Sequence, residues 1–283
     1  MSRKLKKVLI VTKPDDHDAT DFGAGLRAFL ERRGVEVLLC EHRRGTCVSK
    51  AEEHGGLNLI LVLGGDGTYI GVARRMNPLG VPVVGVNLGN VGFLAQLGRE
   101  ECRAWLEHAL DHGFDVSPRI VLEYDVVRRG RIVRQGRAVN DVVVSRGELA
   151  RLIRLDVACG GSVAASLRAD GLIVSTPKGS SAYGVSAGGP LVHPGLRALC
   201  VTPVCPFLNS LKPLVMPADM ECRITIRETA SPVNLTEDGQ EAHRLQPGDE
   251  IVVRGCGTDL LVVDTGQDRY FDRLLEKGFI TEK

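Results

Sequence analysis

The sequence predicts two domains: an α/β domain with a parallel, doubly wound sheet, followed by a mostly β, sandwich-like domain. A length of 283 residues allows two domains of ordinary size. In the first third, apolar runs alternate with amphipathic helical segments, which is typical of a parallel sheet. From about residue 118, short β-rich runs are separated by Gly, Asn and Asp turns. We therefore assign the α/β domain to residues 1–117, the β-rich domain to 118–265, and a C-terminal helix that packs back on the first domain to 266–283.

The elements of the α/β domain follow from apolar runs and their spacing. Short aliphatic runs predict strands at residues 7–12, 35–40, 58–63 and 81–87. Helical periodicity predicts helices at residues 18–33, directly after the glycine loop at 64–68, and at 99–112. In such a sheet, ligands bind beyond the carboxyl ends of the strands.

The elements of the second domain are shorter. Strands are predicted at residues 120–127, 132–133, 138–145, 152–158, 171–175, 222–226, 251–254 and 260–264. No long amphipathic helix fits between these runs, which favours a sandwich. Helical periodicity returns at residues 270–277.

Composition excludes several classes of protein. Hydrophobic residues make up 43% and charged residues 25%, which suits a packed core rather than a disordered chain. The formal net charge of +1 gives no general reason to expect a nucleic acid or a membrane as partner. No apolar run has the length of a membrane span and no signal peptide is visible, so we expect a soluble, cytoplasmic protein. The eight cysteines lack zinc spacing, and we expect them to be reduced, without a disulfide.

The most informative motif is the glycine loop Gly64-Gly65-Asp66-Gly67-Thr68, between a predicted strand and a predicted helix. Glycines let backbone N–H groups approach an anion, and a helix N-terminus adds positive partial charge. A carboxylate would repel phosphates, so Asp66 suggests proton abstraction from an attacking hydroxyl or the placing of a metal ion. The alternative is an ordinary glycine turn with a solvated carboxylate.

Three further segments place polar or small residues in unusual positions. Phe93, in the glycine-rich residues 87–95, would stand near the first glycine loop or serve as a core aromatic. Asn140 and Asp141 interrupt an apolar run, where they could read a base edge and a ribose or stabilise a turn or bulge. Residues 168–190 are rich in hydroxyl, Gly and Pro residues, which leaves room and donors for a ligand. A ligand-free loop is the alternative for this last segment.

Together these motifs resemble the NAD kinase family. The matching segments, all in the family's order, are residues 64–68 (GGDGT), 85–95 (second glycine-rich segment), 140–141 (Asn-Glu/Asp pair), 170–190 (the longest motif) and 238–240 (DGQ). The departures are modest: Lys178 stands where Thr is usual, and Gly184-Val185 replaces a common Ser-Leu. The resemblance covers roughly residues 59–240.

The resemblance implies transfer of a phosphoryl group from ATP to the 2′-hydroxyl of the adenosine ribose of NAD, giving NADP. It implies that Asp66 takes the hydroxyl proton. Donor phosphates would bind to Gly64, Gly65, Gly67 and Thr68, with Mg²⁺ or another divalent cation held mostly by the phosphates and not by a protein ligand set. The implied dinucleotide-binding residues are Phe93, Asn140, Asp141, Arg168, Asp170, Lys178, Ser181, Ala182, Tyr183, Ser186 and Gln240. The family is usually homo-oligomeric, which implies a homodimer or homotetramer.

Two other functions remain open from the sequence. Phosphofructokinases and lipid kinases share the glycine-Asp loop, but they lack residues 170–190 as written here. A non-catalytic dinucleotide sensor could keep the fold, although the intact Asp66 argues against it. The sequence leaves open whether polyphosphate replaces ATP. In the family, a basic residue at the position of Arg168 tends to accompany a preference for NAD over NADH, which we expect here.

Overall fold

The computed structural model describes residues 3–43, 46–89, 92–147, 151–209, 211–227, 232–266 and 270–281. The chain divides into two compact units. The first, which we call the α/β unit, comprises Met1–Pro118 and Leu260–Lys283. The second, the β unit, comprises Arg119–Asp259. Within the described ranges, no helix combines the length and apolar character that a membrane crossing requires.

The secondary structure consists of short strands and six helices in the part of the chain that is described. The strands are β1 (Lys7–Thr12), β2 (Glu36–Glu41), β3 (Leu59–Leu63), β4 (Val83–Val86), β5 (Val116–Arg119), β6 (Leu122–Arg128), β7 (Arg131–Ala138), β8 (Asp141–Arg146), β9 (Ile153–Cys159), β10 (Ser162–Ala169), β11 (Gly171–Ser175), β12 (Ala198–Val204), β13 (Leu214–Pro217), β14 (Cys222–Ile226), β15 (Val233–Glu237), β16 (Glu241–Leu245), β17 (Glu250–Gly255) and β18 (Leu260–Val263). The helices are α1 (His17–Arg32), α2 (Thr46–His54), α3 (Asp66–Met76), α4 (Arg99–His112), α5 (Tyr183–Ser186) and α6 (Tyr270–Glu276).

The α/β unit is built on a six-stranded sheet with the order β2-β1-β3-β4-β18-β5. Strands β1, β2, β3 and β4 pair in parallel. Every residue of β3 is buried, as expected for a strand covered on both faces. The predicted α/β fold class is confirmed, and the carboxyl end of β3 leads directly into the glycine loop.

The structure differs from the expected elements of this unit in four places. Strand β5, at one edge of the sheet, was not predicted. The helix after the glycine loop begins at Asp66 itself, so the carboxylate belongs to the first helical turn. Helix α2 was not predicted. Strand β18, expected among the β-rich strands, instead pairs in parallel with β4 in the first sheet. A four-residue apolar run fits either sheet, and its partner depends on the tertiary fold.

The β unit is a sandwich of two six-stranded sheets, ordered β10-β9-β14-β17-β6-β7 and β13-β12-β11-β8-β15-β16. Neighbouring strands in both sheets pair antiparallel, for example β9 with β14 and β8 with β11. Alternate residues of both sheets form one buried core, to which Leu155 and Ile224 contribute from one sheet and Val174 from the other. The sandwich expected from the sequence is therefore confirmed.

The expectation that all cysteines are reduced is wrong at one pair. Cys40 and Cys47 form a disulfide with their Cα atoms 5.7 Å apart, within the usual bridging range. The bridge joins the end of β2 to the first turn of α2. Because this helix was not predicted, a spacing of seven residues gave no indication that the two thiols would meet. The remaining six cysteines are free.

Candidate active site

Asp66 lies at the N-terminus of α3, where Gly65 is the N-cap residue. Its Oδ2 accepts a hydrogen bond from the backbone N–H of Phe93 at 2.8 Å. Its Oδ1 accepts from the backbone N–H groups of Leu94 and Ala95 at 3.0 and 3.1 Å. A carboxylate offers about four acceptor positions, so these three bonds leave about one, on Oδ2. The three donors fix the orientation of the carboxylate at the helix N-terminus.

The approach of the second glycine-rich segment to Asp66 requires glycine. A Cβ atom at Gly92 would overlap Oδ1 of Asp66. The first glycine loop is different, because a Cβ at Gly65 or Gly67 would meet nothing within 4 Å. This loop therefore borders open space at a helix N-terminus, which is the arrangement that binds phosphate groups. Within the segment 87–95, Asn90 and Val91 lie outside the described residues.

Phe93 combines the two roles that the sequence left open. Its half-buried ring makes edge-to-face contacts with Tyr270 at 6.2 Å and with Phe279 at 6.3 Å between centroids. Its carbonyl accepts a hydrogen bond from Arg273 at 3.2 Å. The segment that donates to Asp66 is thus fixed by α6 and the residues that follow it.

In the β unit, the sequence predicted one strand through Asn140 and Asp141, but the chain bends there. β7 ends at Ala138 and β8 begins at Asp141, so the chain bends at Val139 and Asn140. The bend is held by Asp238, whose carboxylate accepts from the backbone N–H groups of Val139 (3.1 Å), Asn140 (2.7 Å) and Asp141 (3.2 Å). The chain therefore turns here, as one alternative expected, but the acceptor is the remote Asp238 and not a local Asx bond.

The other side of this bend is held by the start of the longest motif. Thr176 donates its hydroxyl to the carbonyl of Val139 and its backbone N–H to the carbonyl of Asn140, both at 2.8 Å. A Cβ at Gly179 would overlap the Asn140 carbonyl. With the backbone held on both sides, the buried Oδ1 of Asn140 has no hydrogen-bond partner among the described residues. A buried amide oxygen of this kind needs a donor, which a ligand can supply.

A cavity of about 360 Å³ lies against this bend, within the β unit. It is lined by Asn140, Asp141, Val143, Ser145, Ala182, Tyr183, Thr236, Asp238 and Gly239. Burial, together with the nearby negative charge of Asp238, raises the pKa of Asp141 to about 7. The cavity therefore offers an unpaired amide oxygen, a carboxyl group that titrates near neutrality and the half-exposed Tyr183 ring.

The other sequence-predicted residues do not line this cavity. Asp170 forms an ion pair with Arg146, and Arg168 lies over the Phe207 ring at 5.4 Å. The remaining residues are Lys178 and Ser181, which are half-buried, and Ser186 and Gln240, which are exposed. The sequence matched Asp238 to a family motif without assigning it a role, named Gly92 only for the tight backbone path it allows, and did not single out Thr176 or Arg146. Their signal is weak because each acts through a contact with a residue that is distant in the sequence.

A ligand set for a metal was not found at the glycine loop. In the part of the chain that is described, the one cluster of metal-ligating side chains consists of Glu237, Glu241 and His243 in the β unit. Glu237 there accepts a hydrogen bond from Tyr124 at 2.9 Å and pairs with Arg134 at 3.4 Å.

The chain as a whole matches known proteins. The family model described as the ATP-NAD kinase N-terminal domain matches residues 8–114, and that described as the C-terminal domain matches residues 139–265. An NAD kinase of Nitratidesulfovibrio vulgaris (strain Miyazaki F) is 46% identical and covers 100% of both chains. The crystal structure of yeast NADH kinase complexed with NADH matches with a TM-score of 0.87 and 25% identity, over 99% of this chain and 90% of that chain. An NAD kinase from Archaeoglobus fulgidus in complex with ATP matches with a TM-score of 0.74 and 25% identity, over 96% and 98%.

The α/β unit carries a glycine loop of the phosphate-binding type at a helix N-terminus, and the β unit carries a polar cavity, which are features of a phosphotransferase. The chain belongs to the NAD kinase family, as both family models and its full-length relatives show. The resemblance drawn from the five sequence motifs is confirmed.

Proposed function

We propose that this chain, an enzyme of the NAD kinase family, transfers the terminal phosphoryl group of ATP to the 2′-hydroxyl of the adenosine ribose of NAD, with Asp66 as proton acceptor. The observation that carries the proposal is the carboxylate of Asp66, held in a helix N-terminus with about one acceptor position unused. A general base must accept a hydrogen bond from the hydroxyl that it deprotonates. The three backbone donors fix the orientation of this carboxylate.

The donor phosphates are assigned to the glycine loop. Gly64, Gly65, Gly67 and Thr68 surround the first turn of α3, where N–H groups and the helix dipole favour anions. Gly64 supports this path because a Cβ there would lie 2.9 Å from Thr68 Oγ1. A Mg²⁺ ion held by the phosphates would neutralise charge on the transferred group. The residues present fit this arrangement, because most acceptor positions of Asp66 are already engaged and the phosphate oxygens would bind the Mg²⁺ ion.

The dinucleotide is assigned to the cavity beside Asn140. Its unpaired Oδ1 suits the exocyclic amino group of adenine, and Asp141 suits ribose hydroxyls. Ala182 and Tyr183 border the same cavity. Phe93, Arg168, Asp170, Lys178, Ser181, Ser186 and Gln240 are further contacts that the family resemblance suggests. A preference for NAD over NADH and assembly as a homodimer or homotetramer are parts of the same proposal.

The test is direct. The purified chain is incubated with NAD, ATP and Mg²⁺, and NADP is measured with an NADP-specific dehydrogenase, with parallel reactions that contain polyphosphate in place of ATP or NADH in place of NAD. Asp111→Asn serves as a control, because this exposed carboxylate lies in α4 and pairs with Arg33 at 3.0 Å, outside the glycine loop. ATP-dependent NADP formation supports the proposal. Dinucleotide binding without NADP formation would identify a sensor and refute it.

A further inference from the structure

Two free cysteines of the β unit lie opposite each other on neighbouring strands. Cys159 is the last residue of β9 and Cys222 the first residue of β14, and the two are direct partners in the antiparallel register. Neither lines the cavity beside Asn140. The proposed phosphoryl transfer therefore gives no account of this pair.

The hydrogen-bond pattern shows which kind of pair they form. The neighbouring pair is hydrogen-bonded, with Gly160 N–H donating to Glu221 O at 2.9 Å. Such pairs alternate along an antiparallel ladder, so Cys159 and Cys222 occupy a non-hydrogen-bonded position. In that position the Cα atoms are about 4.5 Å apart and the side chains are at their closest. Disulfides span Cα separations of about 4.4–6.8 Å, so this pair can be bridged with little backbone movement.

The two thiols differ in accessibility and in charge. Cys222 is fully buried, whereas Cys159 is partly exposed. The Cys222 thiol is hydrogen-bonded to the Cys159 sulfur, and this bond lowers the pKa of Cys159 to about 7. The same bond, with burial, raises the pKa of Cys222 well above its ordinary value. The more accessible sulfur is thus the one that carries a thiolate near neutral pH, which is the reactive form.

We propose that Cys159 and Cys222 form a peroxide-reactive dithiol site, in which Cys159 is the attacking thiol and Cys222 the resolving thiol. The Cys159 thiolate attacks one oxygen of hydrogen peroxide, the O–O bond breaks, and Cys159 sulfenic acid and hydroxide result. The Cys222 sulfur then attacks the sulfenic sulfur, an S–S bond forms, and the oxygen leaves as water with the thiol proton. The pair loses two electrons and peroxide gains them. An added dithiol reductant reverses the step by exchange.

The other free cysteines provide internal comparisons. Cys102 is buried, and burial raises its pKa to about 12, so it stays protonated. Cys205 is exposed and directly follows the last residue of β12, so it can react with peroxide and is not part of the Cys159–Cys222 strand pair. Cys205→Ser is therefore the matched control for an accessible thiol outside the pair.

The experiment uses the full-length wild-type protein. It is treated with hydrogen peroxide, free thiols are blocked with N-ethylmaleimide, and peptides are mapped by mass spectrometry. We expect a peptide pair joined through Cys159 and Cys222, lighter by two hydrogens than the two reduced peptides, in wild type and in Cys205→Ser alike. Reduction with dithiothreitol before blocking should remove it. Recovery of both residues as maleimide adducts after peroxide treatment that has oxidised Cys205 would overturn the proposal.

A second measurement separates the two roles. In Cys222→Ala, we expect Cys159 sulfenic acid to accumulate and to be trapped by dimedone, because the resolving thiol is missing. The rate of Cys159 alkylation should be half-maximal near pH 7 in the wild type and should move towards pH ~8.5 in the variant. An unchanged midpoint in a variant with a wild-type circular dichroism spectrum would refute the role of Cys222.

Discussion

The replacement Asp66→Asn tests the catalytic centre most directly. An amide keeps one acceptor oxygen and sets an NH₂ group in place of the other. The less costly orientation keeps the bonds from Leu94 and Ala95 and turns the NH₂ group towards the backbone N–H of Phe93. One N–H group then loses its acceptor, which costs about 1–3 kcal/mol. Loss of the charge at the helix N-terminus adds about 0.3–1 kcal/mol.

The effect on turnover should be larger than this local loss. Removing a general base typically lowers the rate ~10²–10⁴-fold. That range corresponds to about 2.7–5.4 kcal/mol of transition-state stabilisation. We expect kcat to fall by this range. NAD binding, measured by calorimetry, should persist, because Asn140 and Asp141 are unchanged.

A matched variant distinguishes proton abstraction from loop positioning. Gly92→Ala keeps the carboxylate but forces it away from the backbone donors, since the new Cβ would overlap Oδ1 of Asp66. We measure kcat for both variants from pH 6 to 9, with Asp111→Asn as the surface control. A much larger loss in Asp66→Asn supports the base. Near-normal turnover of Asp66→Asn would refute it, whereas an equal loss in Gly92→Ala would show that the carboxylate acts only in this orientation.

Four further predictions concern the β unit. Asn140→Ala should raise the KM for NAD, because the contact it removes contributes about 1–3 kcal/mol to binding, and it should leave the KM for ATP nearly unchanged. Steady-state kinetics with each substrate varied in turn measure both constants. An unchanged KM for NAD in a folded variant would contradict the prediction. Asp238→Asn leaves one acceptor oxygen for three N–H donors, so it should lower the urea midpoint and raise the KM for NAD, whereas effects on ATP alone would count against the assignment. The pKa of Asp141 is raised to about 7, above its unfolded value of about 3.9. Its contribution to stability therefore falls as pH rises from about 3.9 to about 7 and is constant above that. The free energy of unfolding in urea should change less between pH 5 and pH 8 in Asp141→Asn than in the wild type, and an identical change would disprove the effect. Arg168→Gly should reduce the ratio of kcat/KM for NAD over NADH, and equal values for the two dinucleotides in the wild type would refute the preference itself.

The sequence by itself determined the two-domain class and the position of the phosphate loop. The run 58–63 with Gly64 and Gly65 after it is a local signal, because strand burial and glycine conformational freedom act over a few residues. The family resemblance rested on five such local segments in order. Asn140 and Asp141 were found in the same way, as polar residues that interrupt an apolar run.

The tertiary structure decided how those segments are held. The carboxylate of Asp66 meets donors that are 27 to 29 positions away, and Asp238 reaches backbone groups 97 to 99 positions away. The partner of β18 and the approach of Cys159 to Cys222 likewise depend on strand order and register. Hydrogen bonds and strand pairs between residues so far apart produce no periodic pattern in the sequence. They form because the whole core is buried when the chain folds. The fold therefore supplies what the motifs lack: the fixed orientation of a carboxylate, an unpaired amide oxygen and a thiol pair.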